Sequence, residues 1–232
     1  MKNLKLLFYR EIKGSFNLKG SYILSLAFFS ISIILLPIGV GPNKGFISSI
    51  APGLVWVSII LTSLLSLNNI FYEDFNDGTL DLFKIGPLSI VEICFIKALV
   101  HWISNFLPLI IVTPILSIFL NFPPNLLIYL IFSLILGTPS LSFIGILGSS
   151  LTLSLKQHNL LIPLIIFPFF IPILIFGSGA ISSLMYIGFE DLFMRQVLIL
   201  AGLSGLSIAL CPFACSYICL LYTSDAADDT TG

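Results

Sequence analysis

Charge is what this sequence has least of. Of its 232 residues only 9% are charged, while 57% are apolar. A soluble domain carries about a quarter charged residues. A surface this poor in charge would aggregate in water, so a water-soluble globule is excluded. Long polar segments are missing too, which leaves no room for a sizeable soluble domain. The formal net charge of −1 says little about partners, and no nucleic-acid partner is expected.

Catalytic motifs are absent as well. There is no Walker A glycine–lysine loop, no nucleophile elbow and no HExxH. The two histidines, His101 and His158, lie in different regions. The chain therefore reads as non-catalytic, and any ATPase activity has to come from another chain. The four cysteines show no CxxC spacing, so neither a disulfide framework nor a zinc site is implied. Cys211, Cys215 and Cys219 share a helix face at i, i+4, i+8. A thiolate metal site is one reading of that face; small apolar residues in a membrane helix is the preferred one. No metal or cofactor site is expected.

What remains is apolar chain in long runs. Several exceed the roughly 18 to 20 residues that cross a bilayer core. Six spans are predicted, at about 21–38, 49–70, 93–119, 126–152, 159–182 and 196–218. Residues 39–48, 120–125 and 183–195 connect them on one side, and 71–92 and 153–158 on the other. Five of the ten basic residues precede the first span, and Lys84 and Lys156 fall in loops on that same side. The excess of Lys and Arg marks it as cytoplasmic, or as the matrix side for an organellar gene. Six spans return the C-terminus there. The N-terminal basic segment has no small-x-small cleavage pattern after it, so it is read as retained. Leu4, Leu7, Phe8, Glu11 and Ile12 lie on one stripe of it. This predicts an amphipathic interfacial helix over about 2–19, its lysines toward lipid headgroups.

Prolines stand inside the spans at 108, 114, 139, 163, 168 and 172. Each removes a helical hydrogen bond and tends to bend its helix. Gly145 and Gly148, with Ser140, Ser142, Ser149 and Ser150, give the fourth span a small-residue face for close packing. Pro37, Gly39, Gly41 and Pro42 predict a rigid turn after the first span. The expected fold is an all-α membrane bundle, one permease domain over 1–218. Residues 219–232 end in LLYTSDAADDTTG, which is polar, acidic and unlike the rest. They read as a non-native or disordered tail.

One polar loop stands out: 71–92, FYEDFNDGTLDLFKIGPLSIVE. Glu73, Asp74, Asp77 and Asp81 sit among Phe75, Leu80, Leu82 and Phe83. Asp77-Gly78-Thr79 reads as a turn, and Thr79 can cap a short helix over Leu80–Ile85. Such a helix suits docking: apolar side chains enter a partner's groove while acids meet its rim. The acids argue against a loop lying on anionic headgroups. Within the third span, Lys97 and His101 are ionisable and so are functional candidates. Lys97 can snorkel or pair with Glu92. His101 can bond a neighbouring helix, and a haem-ligand role is the less favoured reading.

The stretch LPIGVGPNKGFISSIAPGLVWVSIILTSLLSLNNIFYEDFNDGTLDLFKIGPLS, with KALVHW at 97–102 and LILGTPSLSFIG at 134–145, resembles the haem exporter B (CcmB) family of system I cytochrome c maturation. The resemblance covers about 1–215. It implies an ABC-2 exporter-like bundle and a membrane subunit that pairs with a separate ABC ATPase. It also implies work beside a haem-handling membrane protein and a periplasmic haem chaperone, with haem as the handled substrate. The resemblance makes 71–92 the ATPase-coupling loop, carried by Glu73, Asp74, Asp77, Gly78, Thr79, Leu80, Asp81 and Phe83. A homodimer in the bacterial inner membrane is expected, or the mitochondrial inner membrane for an organellar gene. An ABC permease for a lipid or drug is the alternative, and a membrane scaffold the third reading.

Overall fold

A computed structural model describes residues 2–17, 21–67, 70–71, 74, 78–79, 83, 85–152, 158–185 and 190–228. The described residues form helices α1 (Lys2–Asn17), α2 (Ser21–Val40), α3 (Lys44–Ser66), α4 (Ile90–His101), α5 (Leu107–Ser117), α6 (Leu127–Leu151), α7 (His158–Leu184) and α8 (Glu190–Asp228). A π-helical turn at Trp102–Phe106 joins α4 to α5 as one span. Six spans are long and apolar enough to cross a membrane, as the hydropathy predicts.

The boundaries show how local chemistry sets helix ends. The second span, α3, starts at Lys44, earlier than hydropathy places it, because Asn43 caps it by accepting from the Phe46 backbone N–H at 3.1 Å. The third span starts with α4 at Ile90 behind a capping box. In it the Ser89 N–H donates to Glu92 Oε2 at 2.9 Å, and the Glu92 N–H donates to Ser89 Oγ at 3.3 Å. Gly41 takes φ +96°, a left-handed conformation natural to glycine, and its N–H closes α2 on the Pro37 carbonyl at 3.1 Å. α8 continues through Asp228, past the change in composition at 219.

The predicted proline effect takes a specific form in the third span. Pro108 cannot donate to the Ser104 carbonyl, and its ring crowds that carbonyl. The helix widens just before it: the Leu107 N–H reaches back to the Trp102 carbonyl, five residues away.

α6 is the hub, with 61% of its span buried against 17% for α2. It packs on α4, α7 and α8. Its small residues permit this. A Cβ at Gly137 or at Gly177 of α7 would overlap the Trp56 indole of α3. Trp56 is fully buried between the two glycines and anchors the main apolar core with Phe29, Phe106 and Phe170. Gly145 admits Leu67 and Gly148 admits Ile166 in the same way.

Candidate functional site

The apolar stripe of α1 packs mainly on the bundle. Leu4, Leu7, Phe8 and Ile12 pack on Ile93, Ile96 and Val100 of α4. Helical spacing puts Glu11 on the same stripe, so folding brings its carboxylate under the bundle. There it meets Lys97, with Nζ donating to Glu11 Oε2 at 3.0 Å. Asp74, from the loop after α3, is the second partner of Lys97. The Ile70 carbonyl accepts a further bond from Nζ at 3.4 Å. Arg10 closes the ring at 2.9 Å from Glu11 and 3.4 Å from Asp74.

The four charges sum to zero. Lys97 is only 4% exposed, Glu11 14% and Asp74 13%, whereas Arg10 is half exposed. Aromatic faces shield the cations: Phe71 lies 5.5 Å from Lys97 Nζ, and Phe83 lies 5.3 Å from the Arg10 guanidinium. A buried cation is tolerable only when paired and hydrogen-bonded. Lys97 meets both conditions and does not snorkel to the surface. Nor does it pair with Glu92. The two lie five residues apart, about 140° around the helix, and Glu92 is engaged in the Ser89 capping box.

One turn beyond Lys97, His101 is buried. Its Nδ1 lies 2.8 Å from Ser142 Oγ of α6, and its Nε2 lies 2.9 Å from Ser66 Oγ at the end of α3. The Ser142 hydroxyl donates to the Ala98 carbonyl at 2.7 Å, so its oxygen accepts from His101. The ring proton is thereby assigned to Nδ1, and the single Ser66 hydroxyl proton is divided between Nε2 and the Ser63 carbonyl, which lies 2.9 Å away. Both nitrogens are occupied by protein hydroxyls, and neither is available to a haem iron. Phe106 meets the ring edge-on at 5.7 Å. Trp102 adds a 2.9 Å bond from its indole N–H to Thr138 Oγ1.

Two linked layers result. Lys97 ties α4 to α1 and to the loop, and His101 ties α4 to α3 and α6. Of the loop residues predicted to couple, Asp74 enters the charge cluster and Phe83 lies beneath Arg10. Gly78 takes φ +68°, as the predicted turn requires. Thr79, Phe83 and Ile85 have helical backbone. Glu73, Asp77, Leu80 and Asp81 lie outside the described residues. Asp74 is thus turned inward to Lys97 and is not a rim acid. Hydropathy misses Arg10, Glu11, Ser66 and Ser142 as partners. Glu11 had a signal: it is the one acid in a basic helix, and it sits on the apolar stripe.

The chemistry a bound group could meet lies elsewhere. The thiols of Cys94, Cys215 and Cys219 are buried within 4.8 Å of one another. Sequence spacing on α8 proposes Cys211 for this set, but α4 supplies Cys94 instead. Phe71, Ala98, Phe143 and Ile146 surround the group. Three thiols are a soft donor set, although Cys219 stands where the composition of α8 changes. None of the four cysteines is in a disulfide.

Comparison with known proteins places this chain in a family. The family described as CcmB protein matches residues 2–219. Heme exporter protein B of Rhodobacter capsulatus is 40% identical over 212 residues, covering 91% of this chain and 95% of that protein. Its counterpart in Paracoccus denitrificans is 40% identical over 211 residues, with the same coverage of 91% and 95%. That of Pseudomonas aeruginosa is 38% identical over 209 residues, 90% of this chain and 92% of the relative.

Proposed function

The chain belongs to the CcmB protein family, and on that premise we propose how it works. It is the membrane subunit of a haem-export ABC complex in cytochrome c biogenesis, a multi-pass protein of a bacterial membrane. With no nucleotide-binding motif in the chain, a separate ATPase supplies the energy and docks on the 71–92 loop. The basic N-terminal segment and the C-terminus lie on the cytoplasmic side with that loop. A haem-handling membrane protein and a periplasmic haem chaperone work with the complex, in which two copies of this chain face two ATPase chains.

The observation that carries the coupling reading is the buried Lys97. A push on the loop moves Asp74, and Asp74 is bonded to Lys97 on α4. The π turn after His101 gives the third span a place to change register. The His101 bonds to Ser66 and Ser142 carry that change to α3 and α6. The chain need not touch ATP, because its contribution is to transmit a movement.

Deletion of the gene tests the substrate class. Haem-stained gels should show c-type cytochromes without covalent haem while b-type haem is retained. Normal c-type cytochromes in the null would remove this reading and favour a lipid or drug exporter.

A further inference from the structure

α1, α4 and α8 enclose a cleft of about 760 Å³ that takes no part in the charge cluster. Pockets of roughly 300–1,000 Å³ hold ligands of substantial size. Its floor is apolar, built from Leu4 and Phe8 of α1, Phe95 of α4, and Ile208, Ala209 and Phe213 of α8. Phe213 is 63% exposed, so the cleft opens on the apolar flank that faces hydrocarbon. An unfilled apolar cleft there would forfeit dispersion contacts along its walls.

Polarity changes along the cleft. Lys5 and Glu92 both border it. Glu92 lies in the first turn of α4, and Phe95 lies a turn deeper. Lys5 has no ion pair among the described residues. Glu92 uses Oε2 for the Ser89 N–H and hydroxyl, which leaves Oε1 to accept. A long apolar body whose head carries both an anion and a cation with N–H groups complements this lining.

We propose that this cleft is a phospholipid site selective for phosphatidylethanolamine. An acyl chain lies along Phe95, Ile208 and Phe213, the phosphate meets Lys5, and the primary ammonium donates to Glu92. A quaternary choline head has no hydrogen to donate, and a glycerol head has no cation. The lipid fills the wedge between α1 and α8 and so helps seat the helix that carries Glu11.

The test uses the full chain reconstituted in vesicles of equal phosphatidylethanolamine, phosphatidylcholine and phosphatidylglycerol, then extracted and read by native mass spectrometry. The chain should retain one phosphatidylethanolamine, favoured roughly tenfold over phosphatidylglycerol, the scale of one charge-assisted contact. Glu92→Gln keeps the capping box, since Gln serves at that position, and should abolish the preference. Ala209→Trp should expel the lipid altogether. Equal retention of the three lipids, or a preference that survives Glu92→Gln, would overturn the assignment. So would a photo-cross-linker at 209 that captures only protein.

Discussion

Lys97 is the residue on which most of the site depends. Replacing it with Ala leaves Glu11 and Asp74 without their buried cation, with only the half-exposed Arg10 shared between them. Removing one partner of a buried pair costs about 3–5 kcal/mol, so the unfolding midpoint in detergent should fall sharply. The combined change Lys97→Met, Glu11→Gln and Asp74→Asn should regain most of that stability yet still fail to support cytochrome c maturation. A triple variant that matures cytochromes normally would reduce the cluster to a packing device. His101→Ala should cost about 1–2 kcal/mol, because Ser66 and Ser142 keep backbone acceptors. The haem absorbance of the purified complex should not change, since both ring nitrogens already serve protein hydroxyls. Lys97 and His101 were legible in the sequence as ionisable residues within a span. Their partners were not: Glu11 lies 86 positions from Lys97 and Ser142 lies 41 from His101. Only the packing of α1, α4 and α6 brings these pairs together.

Among the elements, the glycine contacts give the clearest expectation. A methyl group at Gly177 meets the rigid Trp56 indole, which is itself held by Gly137 on its other side. Overpacking of this kind costs about 1–3 kcal/mol, so Gly177→Ala should lower the thermal midpoint. Gly205→Ala, with no atom within 4 Å of the added methyl, should leave the midpoint unchanged or raise it, because Ala favours the helix. The small-residue face of α6 could be read from Gly145 and its serines, but the residues it receives could not. The amphipathic helix was also legible in its stripe. Hydropathy alone directs such a stripe to lipid, whereas Ile93, Ile96 and Val100 of α4 claim it. The π turn had no signature beyond Pro108, since a proline can equally bend a helix without widening it.

For the whole molecule, the six spans followed from apolar run length, and the class of complex followed from ordered motifs. What run length could not give is the direction of coupling. The structure turns Asp74 inward, which leaves Glu73, Asp77 and Asp81 as the acids on which the proposed docking rests. The central claim is that this non-catalytic chain holds a separate ATPase through residues 71–92. Affinity purification of the chain from membranes that also express the ATPase measures this directly. The Glu73→Ala, Asp77→Ala, Asp81→Ala variant should recover severalfold less ATPase than the wild type at equal amounts of membrane-inserted chain. Equal recovery would contradict the account.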